Sequence, residues 1–403
     1  MFAPQDVDSS AFIWGSQCCK KYAAFVVMML ALTFLLAATS QAQSVQVPLD
    51  RDLWTFSSKN LPAQKQGPEH KGEVMEYAGR QSFGLSNGFA YARDVNFQNG
   101  ALDVDIAADI RGFLGIAFHV QSEDDYELFF FRPDDSGSTY AIQYAPGLLG
   151  GNVWQLFNGP SYTAVGDIPR EKWIHVRVVL AGLVAKLFLN NSAEPALVVS
   201  DLRLGHSQGS IGFWGREGGG YFSNLSFTPD NATDALEVKH NFLPGTLTNW
   251  ELSEMFNTAE KDPAIYPEAH GLKWEKAEAE NPGMVVINRY RRGTNEDAPT
   301  RETFLHGPIP SARFVFARTT IHSDRDQIRK MNFGYSDEIV VYLNSKPIYA
   351  GNNTIGFRQP EFLGLMNVSD DAVYLPLKRG DNELMLAVTE YCCGWGFIAK
   401  LAP

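Results

Sequence analysis

Hydrophobic and polar positions are arranged most tellingly between Gly112 and Gln155. Two apolar runs of strand length, Gly112-Phe-Leu-Gly-Ile-Ala-Phe-His-Val120 and Tyr126-Glu-Leu-Phe-Phe-Phe-Arg132, flank the polar stretch Gln121-Ser-Glu-Asp-Asp125. This pattern predicts a β-hairpin. With the turn at Gln121–Asp125, Val120 lies opposite Tyr126, Phe118 opposite Leu128 and Ile116 opposite Phe130, so one face is wholly apolar and belongs to a core. The other face carries His119 opposite Glu127 and Ala117 opposite Phe129, a mixture that suits a ligand platform better than a buried layer. A loop one residue shorter sets His119 against Leu128 and leaves neither face clean, which favours the first register.

Short alternating strands punctuated by glycine fill the chain from Val45 to Phe227. Leu102, Val104 and Ile106 alternate with Asp103 and Asp105, and Ile174, Val176 and Val178 alternate with His175 and Arg177. Polar residues from Thr228 to about Asn241 read as a linker. Further strand patterns follow at Leu247–Ser253, Met284–Tyr290, Arg313–Thr320, Ile339–Leu343, Val373–Leu377, Glu383–Thr389 and Trp395–Leu401. No convincing amphipathic helix interrupts the first half. The expected fold class is all-β, with two antiparallel β-sandwich (jelly-roll) domains at 43–229 and 242–403, joined by a linker at 230–241. The halves do not match each other, so no internal repeat is expected.

The first half resembles a concanavalin A-like domain. The resemblance is carried by Gly112-Phe-Leu-Gly-Ile-Ala-Phe-His119, Trp154-Gln-Leu156, Glu171-Lys-Trp-Ile-His-Val-Arg177 leading to Lys186-Leu-Phe-Leu-Asn190, and Gly209-Ser-Ile-Gly-Phe213 with Tyr221-Phe-Ser-Asn-Leu225. Within that superfamily it is most like laminin-G-like modules and 3-keto-disaccharide hydrolase-like domains. In the second half, Val340-Val-Tyr-Leu-Asn-Ser-Lys346 and Leu375-Pro-Leu-Lys-Arg-Gly-Asp-Asn-Glu-Leu384 are similar to the galactose-binding-like sandwich, mostly an accessory beside catalytic domains of β-galactosidases and related enzymes. These resemblances imply folds and carry no catalytic signature.

Composition adds export. Of 403 residues 45% are hydrophobic and 12% aromatic, which is globular rather than disordered. Lys20-Lys21, the apolar run Tyr22–Ala38 and Ser40-Gln41-Ala42 read as a signal peptide over residues 1–42, placing the protein outside the cell or in a periplasm; the competing reading is an uncleaved N-terminal anchor. Mass analysis of exported material should find Gln43 at the N-terminus, and an intact apolar segment there would select the anchor. The net charge of −12 argues against nucleic acid and anionic membrane as partners. Beyond the leader only Cys392 and Cys393 remain, either a vicinal disulfide or two buried thiols, and neither zinc nor redox spacing occurs. No cofactor or metal is therefore expected.

Candidate chemistry centres on the platform. His119 and Glu127 form either an acid–base couple or a carboxylate that fixes the imidazole tautomer, while Phe129, Arg132, Gln143 and Trp154 offer ring faces and donors suited to a sugar. Trp395, between Gly394 and Gly396, is a further candidate stacking residue. Gly84-Leu-Ser86-Asn-Gly88 and Gly205-His-Ser207-Gln-Gly209 match the nucleophile-elbow spacing but lack the following helix. Glu123, Asp125 and Glu127 have the spacing of retaining glycoside hydrolases, yet the first two fall in the turn. The expected function is recognition of a glycan or glycoconjugate through the first sandwich. The alternative is glycoside cleavage of the 3-keto-disaccharide hydrolase-like kind, with His119 and Glu127 as acid and base.

Overall fold

The computed structural model describes residues 43–57, 71–109, 112–205, 207–230, 242–268, 271–293, 299, 301–307 and 310–402. The leader and most of the predicted linker lie outside them. Ser44–Pro403 forms one compact unit. No helix among the described residues is long and apolar enough to cross a membrane.

Alternation in the first half builds two facing antiparallel sheets. The back sheet runs in the order Leu197–Val199, Val184–Leu189, Trp173–Ala181, Gly100–Ala108, Gly220–Pro229, Arg80–Leu85 and Lys71–Tyr77, with Val45–Gln46 added beside Gly220–Pro229. The front sheet runs Thr163–Ala164, Ile142–Tyr144, Glu127–Phe131, Phe113–Val120, Ser210–Arg216, Gly88–Ala92 and Trp54–Ser57. Leu102, Val104, Ile106, Ile174, Val176 and Val178 turn inward, as their spacing predicts, and meet Ile116, Phe118 and Phe213 of the front sheet in one buried cluster. Phe213 stacks on Phe222 with ring centroids 4.1 Å apart, tying the two layers. Each such fully buried apolar side chain contributes about 1.5–3 kcal/mol. The intervening polar residues face out, where Arg177 pairs with Asp103 at 2.9 Å and His175 with Asp105 at 2.9 Å.

The second half is again a pair of antiparallel sheets. One runs Trp274–Glu278, Asn249–Ser253, Arg313–Ser323, Gly380–Glu390, Glu338–Leu343 and Lys346–Asn352, with Phe256–Asn257 added on Arg313–Ser323. The other runs Met284–Val286, Gly396–Leu401, Gln327–Ser336 and Asp371–Leu377. Trp250, Leu252, Val315, Ala317, Phe333, Leu386 and Phe397 fill the space between. Segment Met284–Tyr290 leaves the strand early: after Val286 it closes into a 3-10 turn at Ile287–Arg289.

The two sandwiches share buried surface. Met284, Val286, Met366 and Ile398 of the second belong to the apolar cluster of the first. Gln155, fully buried, threads the junction: its N–H donates to Cys393 O at 3.2 Å, its Nε2 to Leu363 O at 2.9 Å, and its Oε1 accepts from Ser336 Oγ at 2.9 Å. Cys392 and Cys393 form a vicinal disulfide beside this contact, which resolves the two readings open at the sequence level.

An ionic cluster closes the other side of the junction. Arg203, from the first sandwich, donates to Asn281 O at 3.0 Å and lies 3.2 Å from Glu280, while Arg289 donates back to Arg203 O at 3.2 Å and to Glu280 at 2.8 Å. Asp201 receives the Tyr162 hydroxyl at 2.7 Å and lies 3.4 Å from Arg203.

Candidate functional site

The predicted hairpin forms, but its register slips at one residue. At the mouth of the turn Gln121 N–H donates to Asp125 O at 2.9 Å, as expected. His119 then adopts a positive φ of 48°, and the pairing of its strand with Ser210–Arg216 shifts at that point. This is a β-bulge, which takes up one extra residue. Beyond it Phe118 pairs with Glu127, Ile116 with Phe129 and Gly115 with Phe130. A shift of one residue exchanges the faces of a strand. Glu127, Phe129 and Phe131 therefore turn inward, and Leu128 and Phe130 turn outward.

Three of the predicted platform residues are thereby corrected. Phe129 is fully buried and part of the core between the sheets. Glu127 is fully buried as well: one carboxylate oxygen accepts from Leu204 N at 2.6 Å and the other from the Tyr144 hydroxyl at 2.6 Å. Burial pushes its carboxyl upward against those hydrogen bonds and the charge of Arg203. His119 is buried and donates from Nε2 to Gln98 O at 2.8 Å, and desolvation holds its pKa below the ordinary imidazole value. The two side chains have different partners and are both fully buried, so this arrangement does not offer them as an acid–base couple to a substrate. Trp395 is corrected too: it is fully buried in the second core, with Nε1 donating to Val388 O at 3.1 Å.

Arg132, Gln143 and Trp154 do come together on the outer face of the front sheet, but Gln143 is fully buried there and supports its neighbours rather than facing a ligand. Cross-strand registers place Gln143, Phe130, Gly115, Trp214 and Phe89 in one row across five strands. Leu128, Ala117, Gly212 and Tyr91 make the next row. A Cβ on Gly115 would meet Leu128 Cδ1 at 2.7 Å, and one on Gly212 would meet Ala90 O at 2.6 Å, so glycine is required for strands to pack this closely and keeps the middle of the floor at backbone level. Phe130 and Trp214 lie 5.8 Å apart, and Tyr126 stacks on Phe89 at 4.5 Å. The result is an aromatic floor that is itself nearly buried, with the partly exposed rings of Tyr91, Phe113 and Trp154 against it.

Arg132 is the polar element of this face. Its guanidinium lies over Phe130 at 4.4 Å and near the Trp154 ring at 5.7 Å. Nη1 donates to Tyr140 O at 2.9 Å and Nη2 to Gln143 Oε1 at 2.5 Å. Gln143 donates in turn to Trp154 O at 2.7 Å and Phe157 O at 2.5 Å, which pins the loop that presents the tryptophan. Desolvation pulls the arginine down to about 10, so it stays charged at neutral pH. Flat ring faces beside a fixed planar donor can stack on the apolar face of a pyranose while the donor takes an oxygen at its edge.

Sequence reasoning missed Phe89, Tyr91, Phe113 and Trp214 as members of this face, although Phe113 opens the hairpin strand it had recognised. Among the described residues no group of three or more His, Cys, Asp or Glu side chains is placed to hold a metal ion. Ser86 lies in the turn between strands Arg80–Leu85 and Gly88–Ala92, with no helix after it. Asp125 spends a carboxylate oxygen on Leu149 N at 3.0 Å, and Asp124 pairs with Arg292 at 2.8 Å, so the turn acids serve loop packing.

No family model matches the chain, and no curated protein does. Among solved structures the chain is similar to a carbohydrate-binding module from Bacillus subtilis, at 13% identity over 43% of this chain and 93% of that one, with a TM-score of 0.30. It is likewise similar to a putative glycosyl hydrolase from Parabacteroides distasonis, at 14% identity over 47% and 100%, TM-score 0.31. A β-glucanase from Bacillus licheniformis matches at 10% identity over 47% and 98%, also with a TM-score of 0.31. Likenesses this distant carry no argument about activity or ligand.

Proposed function

We propose that this protein is an exported carbohydrate-recognition protein whose ligand lies on the outer face of the front sheet of the first sandwich. The observation that carries the reading is the aromatic face itself. Six rings, Phe89, Tyr91, Phe113, Phe130, Trp154 and Trp214, share one side of a sheet with an arginine clamped between two of them. Three of the six, Tyr91, Phe113 and Trp154, are partly exposed above the buried others, and rings beside fixed donors suit sugars. A binding function needs no proton donor, in keeping with the burial of His119 and Glu127.

Trp154 is the residue to test. Its ring is partly exposed, whereas its backbone carbonyl, not its side chain, receives Gln143. On a glycan array, protein spanning residues 43–403 should retain at least one class of ligand, and Trp154→Ala should weaken that ligand by about 2 kcal/mol, roughly thirty-fold in Kd. Its unfolding free energy should change by no more than about 1 kcal/mol. Unchanged binding by Trp154→Ala and by a second variant, Phe113→Ala, would remove this face as the site.

A further inference from the structure

Arg132 carries a feature that neutral sugar recognition does not explain. The side chain is only 8% exposed, yet its two hydrogen-bonded acceptors are a backbone carbonyl and an amide oxygen, both neutral, and it makes no ion pair among the described residues. The buried arginine of the junction is the internal comparison: Arg203 lies within 3.4 Å of Asp201 and 3.2 Å of Glu280. The acid acting on Arg132 is Asp135, which does so at a distance and forms no ion pair with it. A guanidinium withdrawn from water without a counter-ion carries an uncompensated desolvation cost.

A second cation stands on the same face. The registers that pair Leu114 with Phe131 and Phe113 with Arg216 put Arg132, Phe113 and Arg216 in one row across three strands. Arg216 lies 3.5 Å from the exposed Glu217, so its charge is partly offset locally. The row adjoins the aromatic floor at Phe130, Gly115 and Trp214. A ring stacked on the partly exposed Phe113 and Trp154 rings against that floor would carry a substituent at its edge onto the Arg132 fork.

We infer that the glycan recognised here bears an anionic substituent, a carboxylate of the uronic acid type, seated on Arg132 with Arg216 beyond it. This rests on the proposed recognition function of the same face and narrows its ligand. A planar carboxylate matches the planar fork and can accept two N–H bonds from it. The net charge of −12 repels polyanions at long range, so recognition of this kind is a short-range contact rather than electrostatic steering.

The test changes the ligand first and the protein second. Oligogalacturonate with free carboxylates and the same oligomer fully methyl-esterified should be compared by calorimetry on protein spanning residues 43–403. At least a ten-fold preference for the free acid is expected. That preference should disappear in Arg132→Gln and shrink in Arg132→Lys, which keeps the charge but not the fork. A sulfated neutral galactan and its desulfated form make a second pair of probes. Preference for the sulfated member alone places the charge on a sulfate ester, and the carboxylate assignment falls. Equal binding of charged and uncharged members in both pairs, with Trp154→Ala still weakening all of them, overturns the inference and leaves the recognition function standing. Failure of every probe to bind, on an array as well, sinks both.

Discussion

Arg203→Met should destabilise the chain by on the order of 3–5 kcal/mol, the cost of breaking a buried ion pair from one side. The arginine side chain is 6% exposed and its charge is shared by Asp201 and Glu280 across the junction. Removing it leaves both carboxylates, and the Tyr144 and Tyr162 hydroxyls beside them, in a poorly solvated space. Methionine fills much the same volume, so cavity formation adds little and the loss reports charge. Replacing the partners as well, in Arg203→Met with Asp201→Asn, Glu280→Gln and Arg289→Met, should recover a large part of the deficit, because joint removal, including Arg289, which also pairs with Glu280, spares the orphaned charges. Urea unfolding followed by tryptophan fluorescence reads both. A single variant within 1 kcal/mol of the parent would mean the cluster is hydrated and does not hold the sandwiches together.

Asp337→Asn should have an effect of similar size and opposite sign, absent near pH 4 and growing to its full size above about pH 7. Asp337 is fully buried and pushed up to about 7, chiefly by desolvation and further by the neighbouring Glu338, even though Tyr391 N and Cys392 N donate to one of its oxygens at 2.7 and 3.0 Å. Its ordinary value is 3.8, so the native state holds a proton that the unfolded chain releases between about pH 4 and 7. The contribution of this group to stability is therefore complete below pH 4 and declines as pH rises toward 7. A displacement of that size corresponds to about 4 kcal/mol. Asparagine stays neutral and keeps a carbonyl for both amides. The variant should match the parent near pH 4 and exceed it at pH 8. If it is the weaker protein at pH 8, the ionised carboxylate is being stabilised by those amides rather than penalised by burial.

Much of the architecture was readable in the sequence because one face of most strands is wet. Asp103 and Asp105 against Val104, or His175 and Arg177 against Val176, fix which side is core, and the structure has them so. The site was less readable for the opposite reason. Leu128-Phe-Phe-Phe131 is apolar on both faces, since one lines the core and the other the aromatic floor, so alternation says nothing about which is which. The register then hung on His119, whose left-handed backbone is set by pairing with a strand some ninety residues further on. No local signal marks it. Arg132, Gln143 and Trp154 were found because their residue types, not their register, suggested donors and rings. Arg203, Glu280 and Arg289 were passed over, because a charged cluster drawn together from three loops leaves no spacing in the chain.

The core that runs through the junction bears on how such a protein is passed between genes. Met284, Val286, Met366 and Ile398 complete the apolar interior of the first sandwich, whereas domains traded by recombination usually meet through polar, separable surfaces. A breakpoint between the sandwiches would transplant the first of them with its flank open, and the recipient would inherit a sticky, short-lived fusion. The two sandwiches should therefore travel through evolution as one heritable cassette, with new partners added at the outer ends.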